Sequence, residues 1–302
     1  MDKQIYRNLK MFEYYENGYL KTSGQGNTWN LTFNPCSRKP NDFYSECLHT
    51  AKIIYEKSKG DLYCFLSGGR DSIYMTKSFY DIGVNFKAAI MSWNGLNDHD
   101  ISNAIDFCKT YNIKYELIHL DIVEFIESGE HTNLSKKIAS WTHQIAPLVK
   151  AVEMLDSDVV LGNGDPMFLP TNLFDKVKWY YFDHQILNCM HNYFSKNNIR
   201  AISEFYRYTP EIFYSFITDK NITDLLSCST YETAEWRKYK YRLYESNFGI
   251  KFNFPKYDGW EKLQTCNPML VNKCIDDISF LHLTSTGEYL RSHKHLKKDL
   301  YV

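Results

Sequence analysis

The sequence predicts an α/β protein: a parallel sheet with helices on both faces, a small N-terminal β hairpin and an α-helical C-terminal portion. Three observations point there. From residue 61 short apolar runs alternate with segments of helical periodicity, the first run breaks into "SGGR" before a helix, and aromatic-rich segments at helical spacing take over beyond residue 170.

The elements follow in order. In residues 1–40, Gly- and Asn-rich turn signals separate "YLKT" from "TWNLTF", a hairpin pattern that marks a small β appendage. "NDFYSECLHTAKIIYEKSKG" (41–60) has apolar positions at helical spacing, with Asn41 as N-cap and Gly60 as stop. Strand "DLYCFL" (61–66) leads through the turn into helix "DSIYMTKSFYDIG" (71–83). Strand "FKAAIMSW" (86–93), helix "DHDISNAIDFCKTYN" (98–112) and strand "KYELIHL" (114–120) continue the alternation. Strands interleaved with helices of this length imply crossover connections and a parallel sheet.

A further helix, "SKKIASWTHQIAPLVKAVEML" (135–155), contains Pro147, which kinks it or divides it in two. The strand "DVVLGNGD" (158–165) follows. "VKWYYFDHQILNCMHNYFSK" (177–196) and "YETAEWRKYKYRLYESNFG" (231–249) read as helices. The expected organisation is an appendage over 1–40, an α/β domain over 41–170 and a mainly helical portion over 171–302.

Composition narrows the classes of function. Lys plus Arg number 35 against 36 acids, for a formal charge of −1, so non-specific nucleic-acid binding gains no support and only a local basic patch stays open. The eight cysteines contain no CxxC pair and read as reduced, mostly buried thiols. No signal-peptide block opens the chain, and no uncharged run approaches the roughly 18 residues of a membrane span. The expected location is the cytoplasm, with no membrane partner.

The string "SGGRDS" (67–72) lies at the carboxyl end of the first strand and opens the next helix, the edge at which open parallel sheets bind ligands. Glycines there let backbone N–H groups turn inward, and the helix N-terminus adds partial positive charge, so the turn suits an anion such as phosphate. Gly68 and Gly69 would also serve a bare strand-to-helix turn, with Asp71 and Ser72 as caps. A Walker A loop is excluded, because its lysine and glycine spacing are missing.

The string resembles the PP-loop motif SGGxDS of the ATP pyrophosphatase superfamily, whose fold is adenine nucleotide alpha hydrolase-like. That resemblance implies ATP cleaved between the α and β phosphates: a substrate oxygen attacks the α-phosphorus, pyrophosphate leaves, and a nucleophile then attacks the adenylated substrate. It implies that residues 41–170 form the ATP-binding domain, with Ser67, Gly68, Gly69 and Ser72 on the departing pyrophosphate. Asp71 is implied as a Mg²⁺ ligand, and Arg70 at the variable position is either a phosphate contact or a solvated side chain.

"ASWTHQIAPLVKAVEMLDSDVVLGNGDPMF" (139–168) looks like the synthetase domain of asparagine synthetases and β-lactam synthetases, in which a glycine-flanked loop after a strand helps bind Mg²⁺ and pyrophosphate. Gly162, Asn163 and Gly164 match that loop in part. Asp165 is then a second metal ligand opposite Asp71. The family usually carries an Asp-Glu pair one residue further on, so "GNGDP" departs from asparagine synthesis itself; it is also a turn-forming string in its own right.

An adenine pocket is expected at the end of the second strand, where Ile90, Met91 and Ser92 offer backbone groups and apolar surface; core packing accounts equally for Ile90 and Met91. The reaction also needs a cation near the α-phosphate. Candidates lie in "EWRKYKYR" and "FPKYDGWE", and Lys240 and Lys256 are the choices. Residues 1–60 are too few for the N-terminal glutaminase of full asparagine synthetases. The nitrogen is therefore expected from free ammonia, an amine of the substrate or a separate amidotransferase.

The expected function is an ATP- and Mg²⁺-dependent ligase that adenylates a carboxylate or amide oxygen of a small molecule and passes it to an amine or ammonia. Two alternatives stand beside it: modification of a nucleobase in tRNA or DNA, and a non-catalytic nucleotide-binding protein with a degenerate synthetase fold.

Overall fold

A computed structural model of the chain describes residues 12–14, 31–173, 176–227, 233–251, 255, 257–285 and 288–292. Strands β1 (Phe12–Tyr14) and β2 (Leu31–Phe33) pair antiparallel as the N-terminal hairpin. Its expected first strand, "YLKT", lies outside the described residues. Helix α1 (Phe43–Lys57) is capped by Asp42, whose side chain accepts from Ser45 N at 2.9 Å, and ends at Ser58. Asn41 and Gly60, the expected cap and stop, lie just outside it. Asp42 takes the N-cap because it stands one residue before the first helical turn with extended backbone.

The alternating region then runs β3 (Leu62–Phe65), α2 (Arg70–Asp81), β4 (Lys87–Ser92), α3 (Asp98–Thr110), β5 (Tyr115–His119), α4 (Ile122–Glu127), α5 (Glu130–Ile138), α6 (Ile145–Glu153) and β6 (Asp158–Leu161). The single helix expected over 135–155 is two helices. The break falls not at Pro147 but at Ala139, which adopts a left-handed φ of 61° after Ile138. Pro147 lies in the first turn of α6, where a missing N–H costs no hydrogen bond.

Beyond residue 166 come β7 (Met167–Leu173), β8 (Lys176–His184), α7 (Gln185–Asn197), β9 (Ala201–Ile202), a 3₁₀ turn (Phe205–Arg207), α8 (Pro210–Thr218), α9 (Lys220–Leu226), α10 (Thr233–Phe248), α11 (Glu261–Cys266), α12 (Pro268–Ser285) and β10 (Glu288–Ser292). The later half is mostly helical, with one correction: "VKWYYFDH" is a strand. It pairs antiparallel with β7 and β10 in a three-stranded sheet. Aromatic and β-branched side chains crowd that stretch, and such residues favour the pleated surface over the helix. Only from Gln185 does the helical period hold.

The principal sheet is parallel throughout, in the order β5-β4-β3-β6-β9. Both faces of β3 are buried, and alternate residues serve different cores. Leu62 and Cys64 pack with α1, α2, α8 and α10; Tyr63 and Phe65 pack with the layer that includes α4 to α7, α11 and α12. The chain leaves β3 toward β4 and later returns to β3's other side as β6. The carboxyl ends of β3 and β6 therefore flank the point where chain direction across the sheet reverses, the edge at which such folds bind ligands.

Phe43 on α1 ties the near layer together. Its ring lies 5.3 Å from Phe216, 5.9 Å from Tyr244 and 6.0 Å from Tyr206, and it is 1% exposed. Phe43→Ala is expected to cost about 3–5 kcal/mol of unfolding free energy, measured by urea denaturation. A loss below about 1 kcal/mol would show that this layer does not hold α10 against the sheet.

Candidate active site

After β3 the chain turns sharply into α2. Ser67 N donates to Ser72 Oγ at 3.2 Å, the two serine hydroxyls stand 3.0 Å apart, and Ser72 Oγ donates to the Gly69 carbonyl at 2.8 Å. The two glycines do different work. Gly68 has φ +82°, and a Cβ there would stand 2.6 Å from the Asp100 carbonyl of α3, so both conformation and close approach demand glycine. Gly69 has an ordinary φ of −74° and caps α2 without a side chain, where a Cβ would meet the Ser67 hydroxyl at 3.4 Å. The result is a bare turn with the open N–H end of a twelve-residue helix behind it, a setting for phosphate oxygens.

The loop after β6 lies directly on that turn. A Cβ on Gly162 would be 2.6 Å from Ser72 Cα and 2.9 Å from Ser72 N, so glycine alone permits this approach of backbone to backbone. From the other side the 3₁₀ turn grips the loop: Tyr206 N donates to the Asn163 carbonyl at 3.2 Å, and Arg207 Nε donates to the Gly164 carbonyl at 3.1 Å. Arg207 is itself buried beside Glu204, 3.4 Å away. These contacts fix Asp165 across from Asp71.

Between the two carboxylates stands Lys240, from α10. Its Nζ is 2.7 and 2.9 Å from the two oxygens of Asp71 and donates to Asp165 Oδ2 at 2.8 Å. Burial opposes the charge on Lys240, yet Asp165 and Asp71 hold its ammonium above the usual lysine range. Burial likewise raises the Asp165 carboxyl above the usual carboxylate range, against the pull of Lys240. The Tyr244 hydroxyl donates to Asp71 Oδ1 at 2.6 Å, and the Tyr206 hydroxyl donates to the Asp71 carbonyl at 2.8 Å. Burial drives both phenols far above their usual range, so they stay protonated donors.

The donor set fits a magnesium ion. Two carboxylates face one cationic centre beside a turn suited to phosphate, and Mg²⁺ typically takes one or two carboxylates and completes its shell with phosphate oxygens and water. Among the described residues no group of three or more His, Cys, Asp or Glu is arranged for a metal, so a cage made wholly of protein ligands is not offered.

Ser67, Gly68, Gly69, Asp71, Ser72, Gly162, Asn163, Gly164, Asp165 and Lys240 thus come together. Arg70 turns elsewhere: its guanidinium lies 3.6 Å from the centre of the Tyr241 ring and pairs with Glu245 at 3.2 Å, docking α10 onto α2. Ile90 belongs to the core under α3, the Met91 carbonyl accepts from Asn97 Nδ2 at 2.9 Å, and the Ser92 carbonyl accepts from Leu120 N at 2.9 Å. Lys256 lies outside the described residues. Tyr206, Tyr244 and Arg207 escaped sequence reasoning. The signal for Tyr244 was its place one helical turn after Lys240; nothing local marked the other two.

The structure is similar to NMN synthetase from Francisella tularensis, with a TM-score of 0.32 and 14% sequence identity over 77% of this chain and 94% of that one. No protein-family model matches the chain, and a search of curated proteins finds no significant match. Among the described residues no helix is long and apolar enough to cross a membrane.

Gly162→Ala is expected to push the loop off α2 and cost about 1–3 kcal/mol, read from urea denaturation. Asp100, whose carbonyl faces Gly68, offers a pH test. Burial, with Glu261 and Asp258 nearby and against the pull of His99, pushes its carboxyl up to about 7. The folded chain therefore keeps a proton that the unfolded chain releases near about pH 4, and the stability this gives at low pH is lost as pH rises toward 7. Asp100→Asn does not titrate. Its melting temperature is expected to gain steadily on that of the native protein between those pH values and to hold level above them; a constant difference would place Asp100 in an unperturbed setting.

Proposed function

We propose that the protein is an ATP- and Mg²⁺-dependent ligase that adenylates a carboxylate or amide oxygen of a small molecule, releases pyrophosphate and transfers the activated carbon to an amine or ammonia. The observation that carries this reading is the single ammonium, Lys240, in contact with both Asp71 and Asp165 beside the Ser67–Ser72 turn. Three separate stretches of chain meet there with the charges such chemistry needs.

In this reading the turn and the N-terminus of α2 bind the β and γ phosphates, which are the leaving group. Asp71 and Asp165 would hold the cation, with Tyr244 donating to the Asp71 carboxylate and Tyr206 to its main-chain carbonyl. A bound Mg²⁺ would neutralise phosphate charge as the bond to the α-phosphorus breaks. Lys240 supplies the positive charge of the chain itself, placed to follow the charge that builds on the phosphates. The substrate oxygen forms the new bond to the α-phosphorus while the bridging oxygen leaves with pyrophosphate; the amine then forms the C–N bond, and AMP departs.

The test is product identity. With ATP, Mg²⁺ and a panel of carboxylic acids and amines, AMP and pyrophosphate are expected in equal amounts, measured by chromatography. Lys240→Met is expected to lower turnover about 10²–10³-fold, and Lys238→Met, at an exposed position, to leave it unchanged. Release of ADP and orthophosphate would reject the reading, and tight ATP binding without turnover across the panel would leave a nucleotide-binding protein in its place.

A further inference from the structure

The Lys240 ammonium occupies the space between the Asp71 and Asp165 carboxylates, the two groups that would hold a divalent ion. It meets both oxygens of Asp71 at 2.7 and 2.9 Å and one of Asp165 at 2.8 Å, and Tyr244 donates to the Asp71 carboxylate beside it at 2.6 Å. A tethered cation already offsets one of the two negative charges.

We propose that Lys240 is an internal counter-cation that bars free divalent metal from the seat between Asp71 and Asp165. Two partly buried carboxylates this close cannot both stay ionised without a cation beside them. A free metal ion that entered would have to expel an ammonium from a side chain only 11% exposed, leaving that charge unpaired next to a dication. It offers the lysine nothing in return. A metal ion that arrives on a polyphosphate brings new anionic oxygens within reach of the displaced ammonium; this second half rests on the proposed function, whereas the exclusion of free metal does not.

The way α10 is docked permits such an exchange. Tyr244 holds Asp71, Glu245 holds Arg70, and the Tyr241 ring covers the Arg70 guanidinium, so the helix stays in place through contacts that do not involve Lys240. Tyr244 stacks in turn on Tyr74, with ring centres 4.6 Å apart, and the Tyr74 hydroxyl donates to the Ile250 carbonyl at 2.9 Å. The lysine side chain can therefore leave its seat without moving the helix.

The experiment titrates the nucleotide-free protein with Mn²⁺ and reads free ion by electron paramagnetic resonance. A seat filled by the lysine for more than about nine-tenths of the time lowers apparent metal affinity by at least about tenfold. Lys240→Met is therefore expected to bind Mn²⁺ at least about tenfold tighter than the native protein, and Lys238→Met to match the native value. Far-UV circular dichroism confirms folding. Should the methionine variant not fold, Lys240→Gln, which keeps polar contacts without the charge, decides in its place. Equal Mn²⁺ affinity in native and variant protein overturns the proposal. A parallel titration with the α,β-methylene analogue of ATP bears on the proposed function alone: failure to bind it would reject the ATP reading while a gain in Mn²⁺ affinity upheld the counter-cation.

Discussion

The ammonium of Lys240 bridges carboxylates that lie 169 and 75 residues away in the chain, and the arrangement around it is what the rest of the site answers to. β3 and β6 are neighbours in parallel register, Phe65 beside Leu161, so the segments that follow them emerge side by side. Each soon presents an aspartate. Two like charges at adjacent strand ends repel, and partial burial makes the repulsion worse. The pairing survives because α10, arriving from far along the chain, delivers a cation between them. Gly162 permits the close approach of loop to helix, and Arg207 and Tyr206 hold the loop from behind.

Aromatic side chains build the layer behind the site. Phe43, Tyr74, Tyr206, Tyr244 and Phe248 form one packed layer between α1, α2, the 3₁₀ turn and α10, with Tyr74 and Phe248 4.8 Å apart and Tyr206 and Tyr244 5.9 Å apart. Tyrosine suits the boundary of a core and a polar site, since its ring packs as a hydrophobe while its hydroxyl seeks a partner. Tyr206 and Tyr244 both send that hydroxyl to Asp71. A phenylalanine at 244 would fill the same volume and leave the Asp71 carboxylate less firmly aimed, whereas one at 206 would free the Asp71 main-chain carbonyl.

The α/β alternation and the strand–turn–helix around residues 67–72 were legible because local rules govern them: period, turn residues and a helix start. Asp71 and Asp165 were singled out by the resemblance of their loops to the PP-loop and synthetase motifs, and the structure brings their carboxylates to one ammonium. The expected helix over 177–196 failed in its first half because apolar and aromatic residues so close together satisfy a helical period as well as a strand, and pairing with β7 and β10 decides between them. The break at Ala139 had no signal, since a left-handed alanine is chosen by packing and not by preference. Tyr206, Arg207 and Glu204 were invisible because their role exists only once the loop after β6 lies beside them.

"EWRKYKYR" shows how helix phase picks one cation from several. Arg237, Lys238, Lys240 and Arg242 look alike in sequence, and a charge run on a helix is usually a solvated face. Three of them are indeed exposed. Lys240, Tyr241, Tyr244 and Glu245 fall at spacings of one, four and five residues, hence on one stripe, and that stripe meets Asp71 and Arg70. Arg70, at the variable position of the turn, then serves as the anchor that sets the rotation of α10, and through it which of the four cations enters the site. The spacing of these four residues matters here more than the net charge of the segment: exchanging Lys240 with Tyr239 would keep every charge and lose the contact with both aspartates.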